Sequence, residues 1–438
     1  MSLETPIAIR TLQRKLYRKA KQEPDFRFYL LYDKIYREDV LKHAYALAKA
    51  NQGAPGVDGQ TFEAIESEGL DKGLDKWMEG IRKDLRDKTY KPQPVRRVLI
   101  PKPGGGERPL GIPTIRDRTV QTAAKLVLEP IFEADLEPEA YGYRPKRSAH
   151  DAIQKVHKLL CEGYTDVVDA DLSKYFDTIP HTQLLKSVAR RIVDRNVLHL
   201  IKMWLKVPVE ERDENGKRRM AGGRSSRCGT PQGGVVSPML ANLYMNRFLK
   251  HWQITGKSKA FRAQVVTYAD DFVILSRCHA AEALDWTRSV MTRLGLTLNE
   301  AKTSIKKARK ESFHFLGYTF GPHRDKPDGH WYLGASPSKK SRQRIKQKVG
   351  DLLIPVNVGE WEEVRARLNQ ILRGWSAYFS YGSRATAYRE VNNYVSDRVR
   401  HFLKRRHKVQ SRGTEHYGYQ RIFGELKVVR LGPPPRIA

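Results

Sequence analysis

Two adjacent carboxylates, Asp270 and Asp271, stand in the string Tyr268-Ala269-Asp270-Asp271 between two β-rich runs, 263–268 and 272–276. Runs of this composition broken by so short a turn read as an antiparallel hairpin, which places the pair at its tip. Two carboxylates side by side repel, and a fold keeps them only in water or beside something positive. The segment is therefore either a solvated turn, where Asp is common anyway, or part of a site for a divalent cation.

The stretch Asp166-Val167-Val168-Asp169-Ala170-Asp171-Leu172-Ser173-Lys174-Tyr175-Phe176-Asp177 supplies further candidates. Its first half reads as a strand, and Asp171 ends the buried-looking run. A strand end that sets one carboxylate beside a hairpin carrying two more offers three hard oxygen ligands for Mg²⁺. Two such ions roughly 3.5–4 Å apart lower the pKa of an attacking 3′-hydroxyl and stabilise a pyrophosphate leaving group. By the two-residue period of a strand, Asp169 shares a face with Asp171 and is the alternative ligand. Asp177 follows Phe176 into a different setting and reads as structural.

The charge balance points to the partner. The chain has 80 Lys plus Arg against 49 Asp plus Glu, a net charge of +31. An excess of this size opposes compaction unless a polyanion neutralises it, and nucleic acid is the commonest one. Hydrophobic residues make up 40%, enough for a sizeable core, yet no run approaches the roughly 18–20 apolar residues of a membrane span. No membrane partner is expected. Cys161, Cys228 and Cys278 are odd in number and far apart, which fits a reduced cytosolic compartment and no zinc module.

Along the chain, 1–90 reads as a helical, basic extension whose Arg14, Lys15 and Arg18 face a polyanion. Val95–Pro101, a run of three glycines and a second extended run to Pro113 form a hairpin signature. Helices are expected at 116–135, 149–162, 181–206, 238–252 and 280–294, with strands at 165–172 and 313–320 and a polar hairpin at Asp213-Glu214-Asn215-Gly216. Beyond Ser336 three basic helices are expected, at 339–353, 360–381 and 384–408. Gly432-Pro433-Pro434-Pro435 ends the structured sequence.

Taken together in order, several segments resemble the bacterial group II intron reverse transcriptase/maturases. They are Ile100-Pro101-Lys102-Pro103 with Arg108-Pro109-Leu110-Gly111-Ile112-Pro113, the strand ending Asp171-Leu172-Ser173-Lys174-Tyr175-Phe176-Asp177, and Gly229-Thr230-Pro231-Gln232-Gly233-Gly234 with Ser237-Pro238. Tyr268-Ala269-Asp270-Asp271, Leu298-Asn299-Glu300-Ala301-Lys302-Thr303, Phe315-Leu316-Gly317-Tyr318 and Gly374-Trp375-Ser376-Ala377-Tyr378-Phe379 complete the set.

The resemblance implies an α+β right-hand polymerase with an antiparallel palm sheet and an α-helical basic thumb. Residues 91–336 would form fingers and palm, 337–410 the thumb or maturase domain, and 411–438 a short tail. It implies Asp171, Asp270 and Asp271 as catalytic metal ligands, with Leu172 beside them, and two Mg²⁺ ions for which Mn²⁺ can substitute. Lys102 and Arg108 would hold the triphosphate, Gln232 would line the nucleotide pocket, Phe176 would exclude a 2′-hydroxyl, and Lys302 would sit near the pyrophosphate. Lys339, Lys340, Arg344, Lys348, Arg400, Lys404, Arg405 and Arg406 would meet nucleic acid, since such a basic surface suits phosphate contacts.

The partners implied are an RNA template and primer, dNTPs, a group II intron RNA and a DNA target, in the bacterial cytoplasm. Where the fullest members of the family carry an endonuclease domain, no paired cysteines or His-Asn-His string appear here, so such a domain is not expected. Competing readings are a splicing maturase without polymerase activity and a domesticated reverse transcriptase in defence or DNA repair.

Overall fold

The computed structural model describes residues 3–67, 72–101, 106–212, 217–223, 225–324 and 329–432. At its centre is a four-stranded antiparallel sheet, ordered Ala263–Tyr268, Asp271–Ser276, Asp166–Asp171, Ser304–Lys307. Alternation along these strands sends Val168, Ala170, Val265, Phe272 and Ile274 into one core and Val167, Val266, Val273 and Leu275 into another, as a pleated strand with both faces covered must. The first core is closed by the helices Ile115–Glu133, Ser237–Ile254 and Ala280–Arg293, and Phe248 meets Phe272 with ring centroids 5.8 Å apart. The second is closed by the helix Ala149–Cys161, which a Ser148/Asp151 capping box starts.

The basic N-terminal helix Ile7–Gln22 belongs to the first core. Ile9, Leu16 and Ala20 are buried there, and Gln13 Nε2 donates to the Leu126 carbonyl at 3.0 Å. A second sheet joins the expected hairpin, Val95–Pro101 with Glu107–Ile112, to a further hairpin of Pro208–Arg212 and Arg218–Gly222. The tip of that second hairpin at Asp213-Glu214-Asn215-Gly216 lies outside the described residues.

Four elements differ from the sequence reading. The helix expected over 181–206 is two, His181–Ala189 and Arg195–Leu205. Between them Phe28 pairs with Ile192, and the Asp194 carboxylate caps the second helix through Asn196 and Val197 while also accepting from the Leu31 and Tyr32 amides. An Asp satisfying four backbone donors from two segments holds the break open. The single strand expected over 313–320 is a hairpin, Phe313–Phe315 with Tyr318–Arg324, because Leu316 and Gly317 take φ 48° and 79° in succession, as a two-residue reverse turn requires. The strands Ser304–Lys307 and Trp331–Pro337 have too little alternation to be seen in advance.

The helices Lys339–Leu352, Trp361–Tyr378 and Ala385–Arg406 pack around a core of their own. The chain beyond 411, expected to be a tail, returns onto them: Ile422, Val428 and Leu431 are buried in that core. Two asparagines fasten it. Asn369 donates to the Lys427 carbonyl and accepts from the Val429 amide, and Asn392 does the same for the carbonyl and amide of Leu431. Among the described residues no helix is long and apolar enough to cross a membrane, and all three cysteines are free and exposed.

Candidate active site

Register builds the site. Tyr268 is the cross-strand partner of Asp271, and Asp271 is the partner of Asp171. The three therefore form a row across three neighbouring strands, on the face that carries Val266, Val273 and Val167. Asp169 lies on the same face two residues back, and Asp270 sits in the turn. Ala269, the other turn residue, adopts φ 59°, a region open to few residues with a side chain.

An outer segment holds this turn in place. Tyr141 N donates to the Thr267 carbonyl and Thr267 N to the Glu139 carbonyl, both at 2.9 Å, so 139–141 runs along the edge strand. The next residue is Gly142, pinned by a 2.6 Å bond from Asn242 Nδ2 to its carbonyl. A Cβ there would lie 2.5 Å from the Ala269 nitrogen and 3.0 Å from the Tyr268 carbonyl carbon. Only glycine permits that approach.

The carboxylates are held at a cost. Burial, followed by the charges of Asp270, Asp171 and Asp169, pushes Asp271 up to about 6. Asp169 is likewise pushed to about 6, by burial and then by Asp171. Burial raises Asp270 too, and Asp171 adds to it against a backbone hydrogen bond that pulls the other way. On the positive side Lys302 Nζ donates to Asp171 Oδ2 at 2.8 Å, beside a 3.3 Å bond from Asn299 Nδ2. That bond and the charge of Asp171 raise the lysine.

Among the described residues no three acidic, imidazole or thiol groups stand together as a closed ligand cluster. Asp171 and Asp271 are instead cross-strand partners, Asp270 precedes Asp271 in the turn, and their charges help raise the carboxyls of Asp270 and Asp271. All-oxygen donors under mutual repulsion fit a hard divalent cation such as Mg²⁺. Leu172, paired with Leu298 and buried, has only its backbone carbonyl to offer an ion.

A second chain of contacts faces this row. Arg108 Nε donates to Gln232 Oε1 at 3.1 Å, and Gln232 Nε2 donates to both Asp177 oxygens at 3.0 and 3.1 Å. The Gly111 amide donates to the Gln232 carbonyl at 2.6 Å, and Gly233, at φ 104°, lets the two loops touch. The Thr230 amide reaches the Phe176 carbonyl at 2.7 Å, so one loop ties the Glu107–Ile112 strand to the residues after Asp171. Phe176 is buried, edge-on to Tyr175 at 5.6 Å. The Arg108 charge opposes part of the upward shift that burial gives Asp270, so the two elements are within electrostatic reach. Lys102 lies outside the described residues.

Of the predicted nucleic-acid residues, Arg14, Lys15 and Arg18 are exposed on the N-terminal helix, as are Lys339, Lys340, Arg344 and Lys348 on the helix whose Ile345 and Val349 face inward. Lys404 is half-buried and Arg405 exposed. Arg400 pairs with Asp397 at 2.8 Å, and Arg406 donates to the Gly359 carbonyl at 2.6 Å, so these two also serve the fold. Sequence reasoning missed three residues: Asn299, whose amide also bonds the Asp171 carbonyl at 2.8 Å, Asp177 as the holder of Gln232, and Tyr143 beside the turn. Position inside a recognised motif was the only signal for the first two.

Residues 100–320 match the family model described as reverse transcriptase (RNA-dependent DNA polymerase), and residues 342–419 match the group II intron maturase-specific domain. The chain belongs to the group II intron reverse transcriptase/maturase family. The protein YkfC of Escherichia coli K12 is 34% identical over 371 residues, which span 76% of this chain and 94% of that protein. The group II intron-encoded protein LtrA of Lactococcus lactis subsp. cremoris is 33% identical over 239 residues, 54% of this chain but 37% of LtrA. A putative COX1/OXI3 intron 1 protein of Saccharomyces cerevisiae is 25% identical over 466 residues, covering 87% of this chain and 54% of that protein. In this reverse transcriptase/maturase the first model spans the row of carboxylates and the second the basic helices that follow.

Proposed function

We propose that this chain is an RNA-directed DNA polymerase that copies RNA into DNA by two-metal phosphoryl transfer, and that it binds a group II intron RNA to assist splicing and mobility. The observation that carries the polymerase reading is the cross-strand row Tyr268, Asp271, Asp171, with Asp270 at its tip and Arg108 within reach. The maturase reading rests on the second family match, over helices with an exposed basic face.

In this reading the central sheet is the palm, the Val95–Pro101 hairpin belongs to the fingers, and the three basic helices are the thumb. Asp171, Asp270 and Asp271 would hold Mg²⁺, or Mn²⁺ in its place. Held there, such ions would supply the chemistry that lowers the pKa of a primer 3′-hydroxyl and stabilises a departing pyrophosphate. Arg108, with Lys102, neutralises the triphosphate of an incoming dNTP. Lys302, kept protonated by Asp171, is placed to give a proton to the leaving group. RNA template, primer and a DNA target complete the partners.

Phe176 sets sugar choice by packing where a 2′-hydroxyl would sit. Phe176→Ala is expected to lower the preference for dNTPs over NTPs by about 10²-fold, the upper range for filling or emptying an apolar pocket. Single-nucleotide incorporation with matched dNTP and NTP measures it. Unchanged discrimination would remove Phe176 from that role.

A further inference from the structure

Tyr143 takes no part in the contacts described so far, yet its placement is unusual. It follows Gly142, the residue wedged against the Tyr268–Ala269 backbone, and its own φ is 54°, a conformation that residues with side chains seldom adopt. Strain of this kind concentrates where a side chain must be aimed. Its ring is 49% exposed and tilted 40° to the Tyr268 ring at 6.4 Å. Burial raises its phenol, with Asp270 adding to the shift and Arg108 opposing it, so it stands within reach of both sides of the site.

Its place in the row tells which substrate it meets. Across the sheet the order runs Tyr143, Tyr268, Asp271, Asp171, and then Lys302 bonded to Asp171. In an in-line displacement the attacking and leaving oxygens lie on opposite sides of the phosphorus. With the pyrophosphate at the Lys302 end, the strand that attacks comes from the Tyr268 end. Tyr268 and Tyr378, the latter on the Trp361–Tyr378 helix, both pack against the same core. The aromatic end of the row thus points toward the basic helices, where a product duplex would leave.

We infer that Tyr143 is a substrate-contact residue for the growing strand: with Tyr268 it forms an aromatic platform that seats the sugar and base of the primer's 3′-terminal nucleotide. A half-exposed ring fixed by backbone, beside a second ring, is the kind of surface on which nucleotides stack irrespective of sequence. The inference rests on the polymerase reading, and its test separates the two.

Fluorescence anisotropy of a labelled DNA primer annealed to an RNA template gives Kd, and single-nucleotide incorporation gives kcat and KM for the dNTP. Tyr143→Ala is expected to raise the primer–template Kd about tenfold, the loss of roughly one aromatic–base contact, with the dNTP KM moving less than about twofold. Tyr143→Phe, which keeps the ring, is expected to restore Kd to within about twofold. A rise in dNTP KM alone, an unchanged Kd for Tyr143→Ala, or equal losses for Ala and Phe would overturn the assignment. Failure of the unaltered protein to extend any primer would instead count against the polymerase reading, while the anisotropy arm still decides Tyr143.

Discussion

Asp270→Asn is expected to stop DNA synthesis while leaving RNA affinity and fold intact. The substitution keeps the shape of a side chain in a two-residue turn and removes the carboxylate next to the Asp171/Asp271 pair. A metal-borne stabilisation of several kcal/mol is at stake, and at 1.36 kcal/mol per tenfold the rate should fall by about 10³-fold or more. Stability should not fall with it. Burial and Asp171 already oppose the charge of Asp270, and Asp271 is raised in part by Asp270, so a neutral amide relieves repulsion. Primer extension, RNA filter binding and thermal denaturation on one preparation check the three parts. Loss of RNA binding together with synthesis would contradict the separation between the carboxylate face and the basic helices.

Gly142→Ala tests how finely the turn is placed. The added methyl would stand 2.5 Å from a backbone nitrogen, that of Ala269, and backbone cannot swing aside as a flexible side chain can. Asn242 holds the Gly142 carbonyl from behind, and the bonds of Tyr141 and Thr267 hold the segment along the strand. The turn must therefore move, and a displacement approaching 1 Å at reacting groups costs on the order of 10²-fold in rate. The expected outcome is a kcat lowered by about 10²-fold with dNTP KM within about threefold, because the Arg108–Gln232–Asp177 chain does not touch Gly142. Single-turnover kinetics measures this. A kcat within twofold of the unaltered protein would show that the turn tolerates the shift.

Much of this site can be read in the sequence because it is built from short strands. The two-residue period places Asp169 and Asp171 on one face, and a short loop of Ala269, Asp270 and Asp271 between β-rich runs reads as a hairpin tip, although in the fold Asp271 already begins the second strand. What the residues alone leave open is register across strands, since it depends on partners remote in the chain. Asp171 opposite Asp271, and Asp271 opposite Tyr268, appear only in the folded sheet. The same limit hid Asp177, whose carboxylate meets a glutamine 55 positions away, and the break at 190–194, enforced by Phe28 and by the amides of Leu31 and Tyr32. The reversal at Leu316-Gly317 was within reach, because a glycine flanked by apolar runs is a turn signal. The basic helices were legible from charge and period, whereas the return of Val428 and Leu431 onto them was not, because two buried asparagines secure it.

The central claim is that the row of carboxylates copies RNA into DNA. Purified protein, given a DNA primer on an RNA template with dNTPs and Mg²⁺, tests it most directly. Extension to the template end that EDTA abolishes and that NTPs do not support is the predicted result. A protein that binds the template–primer yet adds no nucleotide with either Mg²⁺ or Mn²⁺ would contradict it.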